Sequence, residues 1–391
     1  MTTCTFVGSE VYDLDLYERL QGAVEEAVRE AEEVEFLFYR RGAAFSHLCY
    51  MAALRAKRLY PRKKISLTLL VRDGEAKTED LYGWMWRELP CWAFDRVAPV
   101  RMEPGEAERS ACPWKRIERW MVRRSDVVIG SCYAGLRDGG YELLRYAAHR
   151  RNVRTVNLAC GETESFIREA VQKLPPAERS IVEQIDAGRT FRAIAQEAGV
   201  SPAAIHVKAD RGRRRLRKMA GERLKRMRGK RKADVPAVCG VLLPDGAMGG
   251  ERFRQMAEIL AVDLDVRAFM TLRGSCAPER MFSRVHGRAL EWTVVTHDPE
   301  LAREAEDARA GQSALSSVRY LYVEAEGKPA WARTLRAVRA VLERCDYLIC
   351  DMRALPGARV RRSVEGQRGV TVIDLGNAPR VLEPRAMDAW E

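Results

Sequence analysis

Apolar residues along the chain fall into short runs that alternate with stretches of helical spacing. Before residue 164, helical patterns over 14–31, 43–59 and 140–149 separate five such runs: TFVG, EFLFY, ISLTLLV, DVVIGSCY and RTVNL. After residue 234 the order recurs, with helical patterns over 251–260, 301–310 and 331–342 among the runs AVCGVLL, WTVVTH, VRYLYVEA, DYLICDM and VTVIDL. Strands that alternate with helices are typical of parallel sheets covered by helices on both faces. The pattern predicts an α/β protein with two Rossmann-like parallel-sheet domains.

The segment between these halves, Leu174 to Ala220, has helical spacing in three pieces. The first piece stops at Gly188, where a left-handed residue suits a helix end. The second starts at Thr190, and the third has Ser201 as N-cap and Pro202 at its first position. The third piece has inward residues Ile205, Ala209, Gly212 and Leu216, and outward residues His206, Lys208, Arg211, Arg214 and Arg215. These features predict a small all-α helix-turn-helix domain between the two sheets.

The positive charge of the chain is concentrated in this central segment. The 391-residue chain carries a net charge of +12, and residues 173–232 contain 18 lysines and arginines against 6 acidic residues. The rest of the chain has 49 of each sign. A basic stripe between balanced flanks is typical of a module that binds a polyanion, with nucleic acid as the first candidate. The domain boundaries expected are 1–163, 164–234 and 235–391.

Several other classes of protein are not indicated. No apolar run reaches the roughly 18 residues that span a membrane, so a cytoplasmic protein without a membrane partner is expected. The ten cysteines include no C-x-x-C pair and the five histidines no H-E-x-x-H spacing. We therefore expect no metal site.

The central segment resembles region 4 of sigma-70 family factors and the related LuxR-type domains. The pieces that carry this resemblance are LPPAER, AIAQEAGVSPAAIHVKADR and RGRRRLRKM. It implies that the third helix enters the major groove of double-stranded DNA, its first residues near the bases and its cations at phosphates. The DNA-binding residues expected are Ser201, Ala203, Ala204, His206, Val207, Lys208, Arg211, Arg214 and Arg215. The alternatives are a merely solvated basic helix, or a module that binds RNA polymerase or another protein.

The two flanks also look like divergent copies of each other. RWMVRRSDVVIGSC leads to RTVNLACG in the first, and RAVLERCDYLICDM leads to VTVIDLGN in the second. Asp126 and Asp346 stand at the same point, just before an apolar strand. The alternative is that any doubly wound domain shows this order by chance.

The first flank resembles the SLOG group of Rossmann-like domains, which includes DprA and the LOG phosphoribohydrolases. CTFVGSE, RRGAAFSHLCYMAA, ERWMVRRSDVVIG and GLRDGGYELLRYA carry the resemblance over most of 1–161. Glycines at strand-to-helix turns let backbone N–H groups approach a phosphate, hydroxyls add donors, and Arg41 or Arg137 would supply charge. The ligand-binding residues expected for a small nucleotide-like anion are Gly8, Ser9, Gly42, Ser46, Gly139 and Gly140. The alternative is that the glycines serve the turns alone.

Departures from the LOG pattern argue against catalysis. The family loop is P-G-G-x-G-T-x-x-E, whereas this chain has RDGGYELL without the third glycine, the threonine or the glutamate at its offset. We therefore expect no catalytic residue and no obligatory cofactor, and favour a DNA-binding transcriptional regulator that senses a nucleotide-type ligand. The alternatives are a LOG-like N-glycosidase and a DprA-like binder of single-stranded DNA. A homodimer would be conventional for a helix-turn-helix protein.

Overall fold

A computed structural model describes residues 1–8, 13, 15–39, 44–72, 89–101, 113–230, 237–243, 250–272, 290–300, 303, 318–382 and 385–386. The chain forms two compact units. Unit 1 comprises Met1–Cys49, Val100–Lys232 and Ala386–Glu391, and unit 2 comprises Tyr50–Pro99 and Ala233–Arg385. The fold is α/β with parallel, Rossmann-like sheets, which confirms the predicted fold class at that level.

The strands are β1 (Thr2–Gly8), β2 (Glu33–Phe38), β3 (Lys64–Arg72), β4 (Arg96–Arg101), β5 (Val127–Ser131), β6 (Arg154–Asn157), β7 (Val238–Leu242), β8 (Ala268–Leu272), β9 (Glu291–Thr296), β10 (Val318–Tyr322), β11 (Tyr347–Cys350), β12 (Thr371–Asp374), β13 (Arg380–Val381) and β14 (Arg385–Ala386). The helices are α1 (Leu16–Glu30), α2 (Ala44–Leu59), α3 (Pro113–Arg123), α4 (Gly139–Ala148), α5 (Gly161–Val171), α6 (Pro176–Asp186), α7 (Phe191–Ala198), α8 (Pro202–Lys230), α9 (Glu251–Asp263), α10 (Ala330–Leu342) and α11 (Gly357–Gly366).

Four parallel strands of unit 1 lie in the order β2-β1-β5-β6. The first strand is therefore central. Strand β2 lies on one side of β1 and the later strands β5 and β6 on the other, so the strand order reverses between β1 and β5. Helix α1 buries Leu16, Leu20 and Val24, which lie one helical turn apart and form its apolar face. Helix α4 packs on β1, β5 and β6. This arrangement places the first turn of α4 at the carboxyl ends of β1 and β5, where ligands bind in open parallel sheets.

Helices α5 to α8 complete unit 1 by packing on one another. The boundaries predicted for the three central pieces are present. Gly188 has a φ of +87°, the Thr190 hydroxyl accepts the Ala193 N–H at 3.2 Å, and the Ser201 hydroxyl accepts the Ala204 N–H at 3.2 Å. The turn between α7 and α8 passes through Gly199, whose φ is +64°. Local capping therefore sets where α7 ends and α8 begins.

Unit 2 contains a six-stranded parallel sheet with the order β10-β9-β8-β7-β11-β12. Strands β3, β4 and β13 also belong largely to this unit, in the order β13-β4-β3. The core between the six-stranded sheet and helices α10 and α11 is aliphatic, with Val338, Val341, Leu348, Val360 and Val364 among its buried members.

A recurring hydrogen-bond scheme supports the interpretation of the two flanks as copies. The Asp126 carboxylate accepts the Thr3 N–H at 2.7 Å, and the Asp346 carboxylate accepts the Val238 N–H at 2.9 Å. In each copy, the aspartate that precedes β5 or β11 therefore accepts a hydrogen bond from the start of the first strand, β1 or β7 respectively. A second pair stands at the end of the last strand of each copy: Asn157 accepts the Cys132 N–H at 3.1 Å, and Asp374 accepts the Met352 N–H at 3.0 Å.

Four strands were missed by the sequence pattern: β4, β8 and the two-residue strands β13 and β14. Strand β4 contains Pro99, and a proline within an apolar run argues against a strand because it cannot donate a ladder hydrogen bond. Strand β8 is a short run directly after a helical stretch. The helix predicted over 301–310 lies almost wholly outside the described residues. Of the helices described, none combines the length and apolarity needed to cross a membrane.

Candidate functional site

Three of the six predicted ligand-binding residues line one cavity of unit 1. Gly8 at the end of β1, Ser46 in α2 and Gly140 in α4 contribute to a space of about 70 Å³. Ser9 and Gly42 lie outside the described residues, and so does Arg41. Gly139 is not part of the lining. The topology therefore brings together the elements that the sequence pattern singled out.

The side chain of Phe45 occupies the space directly over Gly8. A Cβ atom on Gly8 would lie 2.1 Å from the Phe45 ring, and a Cβ atom on Gly140 would lie 2.7 Å from the Gly8 carbonyl oxygen. Both glycines thus permit close packing, of α2 in one case and of α4 in the other. The remaining cavity is far below the roughly 300 Å³ of a typical small-molecule site. The Phe45 ring thus occupies part of the space that a ligand at Gly8 would need.

Carboxylates stand where a phosphate-binding site would need positive charge. Asp138 is the N-cap of α4, and its side chain accepts the Tyr141 N–H at 3.1 Å. Glu118 of α3 is buried and lines the cavity. Neither residue was predicted from the sequence. The signal for Asp138 was an aspartate directly before a helical stretch, whereas nothing in α3 distinguishes Glu118 from a surface glutamate.

Arg137 faces the helical part of unit 1. Its guanidinium donates to the Ile185 carbonyl at 2.6 Å and lies 3.5 Å from the Asp186 carboxylate at the end of α6. Its backbone has a φ of +38°, which is uncommon for a residue other than glycine. Burial raises the pKa of Asp186 to about 6, although Arg137 opposes this shift. Arg137 therefore joins the loop after β5 to the end of α6.

A shared apolar core extends this connection to α8. Tyr133 and Leu136 of the loop between β5 and α4 pack in one cluster with Val182 of α6 and with Leu216 and Ala220 of α8. Gly212 allows the approach of α8 to α6, since a Cβ atom there would lie 3.1 Å from Val182. The loop beside the cavity and the long basic helix thus share one core.

The other side of α8 is exposed and basic. The six predicted residues His206, Val207, Lys208, Arg211, Arg214 and Arg215 are all exposed. Arg214 pairs with Asp210 at 2.8 Å and Arg215 with Glu178 at 3.2 Å. Within the part of the chain that the structure describes, Lys208 and Arg211 form no ion pair. These two cations are available to an external anion.

The remaining predicted residues surround the start of α8. Ser201 caps the helix, Ala203 is exposed, and Ala204 is half-buried. The His206 ring packs against the Phe191 ring with centroids 5.3 Å apart. All nine residues expected to meet DNA therefore lie on the N-cap and first four turns of one helix. Over the described ranges, no group of histidine, cysteine or acidic side chains is arranged to hold a metal ion.

The two adjacent glycines of α4 should respond oppositely to alanine. Gly140→Ala places a methyl group against the Gly8 backbone, which should lower the free energy of unfolding by about 1–3 kcal/mol. Gly139→Ala meets nothing within 4 Å and should be neutral or stabilising by up to about 1 kcal/mol, because alanine favours a helix. Urea denaturation of both variants measures this difference. Equal effects would contradict the packing role of Gly140.

The raised pKa of Asp186 predicts a pH dependence of stability. Between the ordinary pKa of 3.8 and about 6, the folded protein binds the proton more tightly than the unfolded chain does. The contribution of this group therefore falls as the pH rises through that window. The melting temperature of the wild type minus that of Asp186→Asn should decrease from pH 4 to pH 7. A difference that increases would mean that the attraction of Arg137 outweighs burial.

Comparison with known proteins shows no family for the chain. No protein-family profile matches it, and no curated protein matches it. Among solved structures, a tyrosyl-tRNA synthetase of Leishmania major in complex with tyrosinol is 10% identical, with 98% of this chain and 75% of that chain covered. The TM-score of 0.18 is too low for this likeness to carry an argument about fold or function.

Proposed function

We propose that the protein is a DNA-binding regulator in which α7, the turn through Gly199 and α8 form a helix-turn-helix, with α8 as the recognition helix. A single observation carries this proposal. The inner side of α8 is buried in the core of unit 1, while its first four turns expose a cluster of cations. A rigidly held basic helix with a capped start is the element that such proteins place in the major groove of double-stranded DNA.

The positions of the charges support the same conclusion. Lys208 and Arg211 lie one turn apart, without an ion pair among the described residues. Arg214 and Arg215 keep exposed side chains despite their acidic partners. Ion pairs at exposed positions contribute little to stability, so a phosphate can replace the Asp210 partner of Arg214 at low cost. RNA polymerase remains the alternative macromolecular partner for this face.

The DNA contact can be tested by reversing charge. Lys208, Arg211 and Arg214 changed together to glutamate should weaken binding to a pool of random duplexes by more than about a hundredfold, because phosphate contacts supply most of non-specific affinity. Fluorescence anisotropy measures the affinity.

A matched control is Arg353, Arg361 and Arg362 changed to glutamate. These arginines are exposed in unit 2, and the charge change is identical. The control should bind DNA as the wild type does. Loss of binding in both variants would show that net charge alone governs the affinity, and absence of binding by the wild type would overturn the proposal.

The regulatory half of the proposal concerns the cavity at Gly8, Ser46 and Gly140, where a nucleotide-type anion would bind. The observation that favours it is the convergence of these residues next to the loop that carries Arg137. A ligand that displaced Phe45 or moved α4 would act on this loop, and through Arg137 and the shared core on α6 and α8. Such a ligand alters DNA binding only if its affinity differs between the two arrangements.

A second candidate function is hydrolysis of an N-glycosidic bond, and Glu118 is the observation that favours it. A carboxyl group buried beside the cavity is the type of group that protonates a leaving base. The two functions differ in whether a base is released.

Native mass spectrometry of the protein mixed with nucleoside monophosphates, followed by chromatography of the mixture, separates these outcomes. Sensing predicts a complex with intact nucleotide and no free base. Release of base by the wild type that is abolished in Glu118→Gln would replace sensing with hydrolysis. If neither a complex nor free base forms, the ligand half of the proposal fails and DNA binding stands alone.

A further inference from the structure

The recognition face of α8 has an apolar centre. At about 100° per residue, Ala203, Val207 and Arg214 lie within about 40° of one line along the helix. This line is opposite the buried residues Ile205 and Leu216. Val207 therefore points straight away from the core, within the first two turns of the helix.

Two exposed valines lie in the turn before α8 and in the first two turns of that helix. Val207 is 48% exposed and Val200, in the turn before α8, is 40% exposed. The large apolar side chains exposed among the described residues number five, so two of them flank the start of one basic helix. Valine at an exposed helix position is less favourable than alanine, and Val207 lies outside the two apolar clusters of described residues that pack α8 against α5, α6 and α7. The stability of the fold does not account for this valine.

The chemistry of the major groove supplies a partner for such a side chain. Base edges there offer hydrogen-bond donors and acceptors, and the one apolar group is the C5-methyl of thymine. Ala203 and Val207 have no side-chain donor or acceptor, so they can read a base only through this methyl. Lys208 lies to the side of Val207, and Arg211 lies one turn further along the helix. Both cations would hold the helix in the groove by binding phosphates.

We propose that Val207, with Ala203 beside it, selects thymine by contact with its methyl group. This inference rests on the proposed binding of double-stranded DNA by α8. It makes Val207 a specificity residue, whereas Lys208 and Arg211 contribute affinity without regard to sequence. The protein should therefore prefer sites with thymine at the positions under the first two turns of α8.

The test compares thymine with uracil, which differ only in this methyl. The full chain first selects duplexes from a random pool, and the selected pool is then amplified with either thymidine or deoxyuridine nucleotides. Wild-type protein should bind the uracil pool about fourfold more weakly for each thymine methyl that it touches, on the basis of about 0.8 kcal/mol per methyl. Val207→Ala should show a preference about fourfold smaller than that of the wild type, because only the contact made by Ala203 remains.

The control variant is Val381→Ala, which removes the same two methyl groups from a valine that is 59% exposed in unit 2. It should keep the full preference for thymine. Equal binding of both pools by the wild type would overturn the inference and leave the proposed function intact. A preference of undiminished size in Val207→Ala would also overturn it, and failure to bind any duplex would remove the proposed function itself.

Discussion

Burial of the inner side of α8 is the interaction on which the position of the basic face in unit 1 depends. Leu216 and Ala220 pack with Tyr133 and Leu136 of the Rossmann-like part, and Ile205 packs with the helices before it. A helix as rich in cations as α8 would gain little from its own sequence, since like charges one turn apart repel each other. Because its stability comes from this apolar side, its opposite side is free to carry charge. The buried contact thus permits the exposed basic face.

The same contact explains how the two parts of unit 1 could influence each other. The loop between β5 and α4 supplies apolar residues to the α8 core and sends Arg137 to the end of α6. Its other end leads into the first turn of α4, where Gly140 contacts the β1 terminus. In the proposed regulator, a movement at the cavity would reach α8 through this loop. At this cavity the Phe45 ring lies directly over Gly8.

Much of the fold follows from the sequence pattern, since strand-helix alternation and the caps at Gly188, Thr190 and Ser201 depend on local chemistry. Asp126 and Asp346 were also found by position, because each directly precedes a buried strand. Each accepts a backbone hydrogen bond from the adjacent first strand of its copy. The cavity was less predictable. Whether a glycine receives a phosphate or an aromatic ring depends on tertiary packing, and the ring of Phe45 lies on α2, far from Gly8 in sequence. Glu118 was missed for the same reason.

The salt dependence of DNA binding is the decisive measurement for α8, since each phosphate contact changes log K by about 0.9 per decade of salt. With contacts from Lys208, Arg211, Arg214 and Arg215, the slope of log K against log salt should be about −3 to −4, and Arg211→Ala should make it less steep by about 0.9. An affinity that does not change with salt, or the same slope in the wild type and in Arg211→Ala, would show that this helix face does not meet phosphates.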